Sequence, residues 1–332
     1  MRTITLMQPG RFADAETQPP TAPRPGEVLV GVLAVGICGT DLHAFEGTQP
    51  FFSYPRILGH ELAVEILDVG DGVVDITPGE RCAVNPYMTC GQCAACVRGR
   101  TNCCARMQVI GVHCDGGMRD RIVLPAEHVY KCRKLPPEQI PLVETLAVGA
   151  HAVGRSAARA GERAIVVGTG PIGLSVIEFL RLAGAEVATV EKMPERLSFA
   201  ASHNALKQYY PSHEEARQGE PWMFVFDCTG DRGSMEKSIH LLQQGGTLIF
   251  VGLINDHISL FDPDLHRREA TILSSRNSVP AEQRRVLQAM ESGAVDVASW
   301  PTEFVDRSSM PQRFPAWLHR QSAVVKAVID WS

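Results

Sequence analysis

Hydrophobic positions change their spacing near Leu142. Before that point the apolar runs are short and closed by turn residues. Val28–Val32 and Leu62–Leu67 are two of them, and Asp71-Gly72, Pro78-Gly79 and Pro136-Pro137 punctuate the chain around them. Such runs predict strands, so the first half is expected to be mostly β. From Leu142 to Arg159 the chain is alanine-rich, with apolar residues near the helical period, which predicts a helix. Ala164–Val167 is then a short apolar run of buried-strand type. A glycine-rich turn follows, Ile172–Ala183 reads as a helix, and Val187–Val190 as a second strand ending at Glu191. Strand, glycine turn, helix and strand make a βαβ unit, the building block of a parallel sheet. Further strands are expected at Trp222–Asp227 and Gly246–Val251, with a helix over Gly233–Gln243 between them. One more helix is expected at Ala281–Glu291, and the apolar run Ala323–Ile329 is expected to pair back with the first half.

Composition sharpens this picture. With 332 residues, 45% of them hydrophobic and 21% charged, the chain is long and apolar enough for two folded domains. Lys and Arg number 32 against 37 Asp and Glu, a net charge of -5, which argues against a nucleic-acid partner. The longest apolar stretch, Val28–Cys38, is broken by glycine and too short to cross a bilayer. Met1–Gly10 lacks a signal-peptide apolar region. No membrane contact and a cytoplasmic location are therefore expected. Ten cysteines are many for such a compartment, where they read as metal ligands or thiols before disulfides.

Cys90, Cys93, Cys96 and Cys104 form C-x2-C-x2-C-x7-C. Four thiolates closing on one loop match the closed tetrahedral site of structural zinc, and Gly91 and Gly99 allow the tight turns between them. An iron–sulfur cluster is the alternative for this spacing. A second candidate set is Cys38, within Gly36–His43, with His60 and Glu61, within Leu58–Glu61. Thiolate, imidazole and carboxylate suit a catalytic zinc, which keeps one position open. Gly168-Thr169-Gly170-Pro171-Ile172-Gly173 is a GxGxxG between a predicted strand and a predicted helix, the context in which it binds a dinucleotide. The helix N-terminus would face the diphosphate. Glu191 ends the next strand, where an acid accepts the adenosine ribose hydroxyls and repels a 2′-phosphate. The expected cofactor is therefore NAD.

Cys38-Gly39-Thr40-Asp41, Gly59-His60-Glu61, the four-cysteine loop and the glycine turn, in that order, resemble the zinc-containing medium-chain dehydrogenase/reductase family. The resemblance covers essentially the whole chain. It implies an α/β fold in which a GroES-like, β-rich catalytic domain is built from both chain ends around an inserted Rossmann parallel-sheet domain. The implied limits are 1–148 for the catalytic domain, with a zinc loop at 88–106, 149–275 for the NAD-binding domain, and 276–332 for the return. It implies two zinc ions per chain, one catalytic and one structural, together with NAD. Ordinary alcohol dehydrogenases of the family place a second cysteine where Glu144 stands here, and Glu144 matches the sorbitol and threonine dehydrogenase branch. That branch implies Cys38, His60 and Glu144 around the catalytic zinc, with Glu61 exchanging with substrate or water.

The same resemblance implies Thr40 and His43 as a proton relay and Arg276 as a pocket arginine, able to fork a substrate carboxylate. Phe51 and Tyr54 are expected either to supply an apolar wall and a hydroxyl contact or to pack in the core, and His113 is unassigned between a pocket and a loop residue. Glu46–Arg56, Gly99–Cys104, Ile110–His113 and Ser275–Asn277 resemble the sugar-acid dehydrogenases of L-galactonate and L-gulonate type. The implied reaction is oxidation of C5 of a sugar acid to a ketone. A neutral polyol or L-threonine is the alternative substrate, and a non-catalytic nucleotide-binding zinc protein the alternative from another class. The branch also implies a homodimer or homotetramer joined through Rossmann sheet edges, here near Ile249. Three features depart from the family pattern: Val64 replaces a glycine, Thr145 replaces a proline, and Ala201–Pro221 is short and polar, which puts the outer Rossmann layer in question.

Overall fold

The computed structural model describes residues 1–318 and 324–332. Ala323, where the expected return strand begins, lies outside the described residues. The chain divides into two compact units, Met1–Glu144 with Val279–Ser332 and Thr145–Ser278. The first division falls inside a helix, Leu142–Ser156.

In the first unit, strands β1 (Arg2–Gln8) and β2 (Arg11–Glu16) form an antiparallel hairpin. The strands β3 (Glu27–Gly36), β4 (Glu61–Val69), β5 (Arg81–Val84), β6 (Tyr87–Met88), β7 (Gln108–Val109), β8 (Arg121–Pro125) and β9 (Val129–Lys131) follow. The long strand β3 organises the unit. It pairs antiparallel with β4 along its whole length and with β8 over its first half. Alternate residues of β3 face one core, so Val28, Val30 and Val32 pack with Leu62, Val64 and Ile66 of β4 and with Ile122 and Leu124 of β8. Val64 is fully buried opposite Val32, so it fills core space that a glycine would leave empty. The two-residue strands β6 and β7 pair with each other and bracket the cysteine loop.

The second unit holds strands β10 (Arg163–Val167), β11 (Glu186–Val190), β12 (Gln208–Tyr210), β13 (Trp222–Asp227), β14 (Leu242–Phe250) and β15 (Thr271–Ser274). They form one parallel sheet in the order β12-β11-β10-β13-β14-β15. This is the doubly wound order of dinucleotide-binding sheets. Ile165 and Val167 enter the core on one face, and Ala164 and Val166 the core on the other. Burial on both faces explains why these strands read as unbroken apolar runs rather than alternating ones. The polar stretch 201–221 still supplies the outer strand β12 and a short helix, His213–Ala216, capped by the Ser212 hydroxyl.

The chain then returns to the first unit. A helix, Pro280–Glu291, leads to β16 (Pro301–Asp306) and β17 (Lys326–Asp330). Strand β17 pairs antiparallel with the end of β3, with Val328 opposite Gly36, and so completes the seven-stranded sheet. Two helix expectations are trimmed. The first helix stops at Ser156 because Ala157 turns left-handed, at φ 59. The helix expected over Gly233–Gln243 is an α-helix only over Arg232–Lys237. It tightens to a 3-10 turn and ends before Leu242, which pairs with Trp222 in the sheet.

Candidate active site

The cysteine loop closes on itself. Cys93 precedes a short helix, Ala94–Val97, that carries Cys96, and Cys104 follows the 3-10 turn Thr101–Cys103. The four sulfur atoms lie within 4.8 Å of one another, with Cys93–Cys96 and Cys90–Cys104 each at 3.5 Å. That is far too long for a disulfide, at about 2.05 Å, and close to the edge of about 3.8 Å in a tetrahedron of zinc–sulfur bonds. Backbone amides are aimed at the sulfurs: Cys90 N–H reaches Cys104 Sγ at 3.3 Å, and Arg106 N–H reaches it at 3.4 Å. The Gln92 amide, with that of Cys93, draws the Cys90 thiol down to about 6, while burial and the neighbouring sulfurs push Cys96 up to about 12. Four sulfurs at this spacing, with amides turned toward them, fit a tetrahedral zinc site. Cys103 is exposed and outside the cluster.

The second cluster sits where three elements of the first unit meet. Cys38 caps a helix, Gly39–Glu46, with extended backbone at the cap. Asp41, in the first turn, is fully buried. Its Oδ2 accepts the Cys38 N–H at 3.0 Å, and its Oδ1 lies 3.6 Å from His60 Nδ1. His60 precedes β4 and Glu61 is the first residue of β4. Ligand atoms of Cys38, His60 and Glu61 lie within 4.8 Å of one another. Glu144 is buried in the same unit but is not one of those three. Its carboxylate instead accepts the Tyr87 hydroxyl. Glu61 is held by Lys326 of β17, whose Nζ lies 2.6 Å from Oε1.

The electrostatics are those of a cation site. Burial presses the His60 imidazole down, but Asp41, Cys38 and Glu144 outweigh it and its pKa lies well above the usual value. Burial raises Glu144, and Glu61 adds to the rise against the pull of His60. A half-buried thiol beside a buried imidazole and carboxylate, with further acids near them, fits zinc with a position to spare.

Of the other expected residues, Thr40 is half-buried at the second position of the Gly39–Glu46 helix. His43, one turn on, is exposed, with Nδ1 3.2 Å from Thr48 Oγ1 and 3.4 Å from Glu46. Phe51 is 60% exposed. The hydroxyl of Tyr54 donates to the Ala44 carbonyl, and its ring packs on Phe52 at 4.9 Å. His113 is a turn residue, its Nδ1 accepting the Val109 N–H at 3.0 Å. Arg276 is an exposed residue of the second unit, just after β15.

The glycine turn also takes its place. Gly168 follows β10 with φ 87, and a Cβ on Gly173 would overlap the Gly168 carbonyl. Gly170 caps the helix Pro171–Leu182, Pro171 opens it and Ile172 follows, and a Cβ on Gly170 would meet open space within 4 Å. Glu191 is buried, and its Oε2 accepts the amide and hydroxyl of Thr169 at 2.9 and 3.1 Å, while Oε1 accepts the Met193 amide at 3.0 Å.

Two family models match the chain: the alcohol dehydrogenase GroES-like domain over residues 24–136 and the zinc-binding dehydrogenase over 171–292. L-galactonate-5-dehydrogenase of Escherichia coli K12 is 35% identical over 338 residues, covering 100% of this chain and 99% of that protein. The chain belongs to the zinc-containing medium-chain dehydrogenase/reductase family. Its fold matches the alcohol dehydrogenase RspB of E. coli CFT073, complexed with NADH, at a TM-score of 0.92 and 26% identity, covering 99% of each chain. It also matches a zinc-binding dehydrogenase of Sinorhizobium meliloti bound to NADP, at 0.91 and 27%, covering 99% of this chain and 98% of that one. The dehydrogenase is an oxidoreductase acting on alcohols, which sets aside the non-catalytic alternative. Among the described residues no helix is long and apolar enough to cross a membrane.

Lys326, Asp41 and Tyr87 were not expected at the site. Asp41 carried a local signal, since an acid three residues after a helix cap is a capping pattern. Lys326 reaches the pocket through long-range strand pairing, and Tyr87 through a side-chain contact with a residue 57 positions on, neither of which a local period reveals.

Proposed function

We propose that this dehydrogenase oxidises a secondary alcohol of a sugar acid to a ketone, at C5 of an L-galactonate-type substrate, with NAD as hydride acceptor. The observation that carries the reading is the Cys38–His60–Glu61 cluster within 4.8 Å, a half-buried thiol beside a buried imidazole and carboxylate, distinct from the closed four-thiol loop. The full-length likeness to L-galactonate-5-dehydrogenase supports the substrate class.

When bound, zinc supplies the Lewis acidity that acidifies a substrate hydroxyl, and NAD takes the hydride. The chain supplies the rest. Cys38, His60 and Glu144 would hold the metal, with Glu61 exchanging with substrate or water. Thr40 takes the hydroxyl proton and passes it along the helix face to His43, whose exposed ring releases it to solvent. Gly168, Gly170 and Gly173 bring the helix N-terminus to the diphosphate, and Glu191 accepts ribose hydroxyls. Its three donors already hold that carboxylate in place. Substituting Glu191→Ser is expected to raise the KM for NAD by about 10- to 100-fold, the worth of hydrogen bonds to a charged group, and to improve use of NADP. Initial rates with both cofactors check it, and an unchanged NAD to NADP preference would remove Glu191 from this role.

NADH formation by the zinc-loaded protein on L-galactonate, L-gulonate, sorbitol and L-threonine tests the substrate. Turnover confined to an aldonate is expected. Turnover on sorbitol or threonine alone keeps the chemistry and discards the sugar acid. Arg276→Ala in the same panel is expected to cost an aldonate at least about tenfold more than a neutral polyol, as loss of a charged fork should; equal losses would deny Arg276 the carboxylate.

Association of sheet edges would involve β15 rather than the strand carrying Ile249. Ile249 is fully buried in an inner strand, whereas β15 ends the sheet order with Ile272 38% exposed.

A further inference from the structure

Lys326 carries a positive charge into the interior of the first unit. Its side chain and that of Glu61 are each 1% exposed. The ammonium donates to Glu61 Oε1 at 2.6 Å and lies against Oε2 as well, so both carboxylate oxygens face it. An ammonium is costly to bury unless it is paired and hydrogen-bonded, so a lysine in this core position calls for a partner of its own. The backbone sets the pair in place. Ala327 O accepts the Ile37 N–H at 3.0 Å, one residue before Cys38, and Gly36 of β3 lies opposite Val328 of β17 and opposite Glu61 of β4.

Gly36 is the third part of the arrangement. A Cβ there would overlap Glu61 Oε2 and approach Pro141 Cβ at 3.1 Å. The Glu61 carboxylate therefore lies over bare backbone, in contact with Lys326 and with the ligand atoms of Cys38 and His60 within 4.8 Å. One carboxylate is thus within reach of two cation positions, one filled by the chain itself.

We propose that Lys326 is a positioning residue that competes with the catalytic metal for Glu61 and so keeps the substrate's position exchangeable. The proposal rests on the metal-site reading above. A carboxylate shared with an ammonium is a weaker ligand than a free one. With Lys326 present Glu61 yields to substrate; without the positive charge it becomes a permanent ligand and blocks entry.

The test uses the full chain with cobalt(II) in place of zinc. Absorption of the catalytic site is read as a difference against His60→Ala, which lacks that site. Lys326→Gln keeps an N–H donor but no charge. It is expected to hold the catalytic-site metal about 10- to 100-fold more tightly in chelator competition, the scale of changes next to metal ligands. Its ligand-field absorption should weaken as an oxygen ligand is added, and the KM for the alcohol should rise, while Lys326→Arg stays near the parent protein. In a Glu61→Gln background, Lys326→Gln should change none of these. A general loss of nearby charge would tighten binding equally in both backgrounds, and that result overturns the proposal. If Lys326→Gln does not fold, Lys326→Met, which also removes the charge, takes its place with the same expected and overturning results. A parent chain that binds one metal instead of two overturns the metal-site reading and this proposal together. Two metals with no response to Lys326→Gln overturn this proposal alone.

Discussion

Replacing His60 by alanine is expected to lower kcat/KM by about a thousandfold or more, ~4 kcal/mol of transition-state stabilisation, and to leave one zinc per chain instead of two. His60 supplies the imidazole of the donor set, beside a thiol and a carboxylate, and it is buried where water cannot readily replace it. Without it the pocket keeps Cys38, Glu61, Glu144 and Asp41, a set with excess negative charge and too few well-placed donors to hold zinc firmly. The four-thiol loop is untouched, so the remaining zinc and the thermal transition should persist. Metal analysis beside steady-state kinetics decides the matter. Activity retained with one zinc, or two zinc ions retained without activity, would each move the catalytic metal away from His60.

Cys104→Ser is expected to act on stability first. Structural zinc sites contribute on the order of 10–16 kcal/mol of apparent binding energy, comparable with the whole net stability of a domain. Losing one of four thiolates should therefore release that zinc, lower Tm by more than about 10 °C, and open 88–106 to proteolysis. Cys104 packs with Tyr87, Met107 and Val109 in a small core, and the Tyr87 hydroxyl is bound to Glu144. Disorder in the loop should thus reach the catalytic pocket through Tyr87, and kcat should fall as well. Cys103→Ser, one residue away but exposed and outside the cluster, should change neither zinc content nor Tm. Matching losses in the two variants would show that the effect is not ligation.

Features set by near neighbours in the chain were legible in the sequence. The βαβ turn was readable because strand, glycines and helix are contiguous, and the four-thiol loop because its ligands fall within fifteen residues. The return strand was readable as an apolar run, and it does pair with β3. What the sequence hid depends on distant pairing. Lys326 and Glu61 are 265 residues apart, and only the β17–β3–β4 register brings them together. Tyr87 looks like an ordinary strand aromatic until Glu144 is placed beside its hydroxyl. The Tyr54 hydroxyl, likewise, finds a backbone carbonyl that no motif announces. The hairpin β1–β2 also went unread, since its exposed second strand carries little apolar alternation.

Strand β17 is encoded after the whole unit Thr145–Ser278, and this orders events during synthesis. At about 5–20 residues per second, roughly 10–40 s separate the emergence of Glu144 from that of Lys326. The inserted sheet can fold in that interval. The first unit waits, with the end of β3 unpaired on one edge and Glu61 without its counter-charge. The nucleotide-binding half of the enzyme is thus ready before the catalytic half, and the metal pocket is the last part of the newborn chain to be finished.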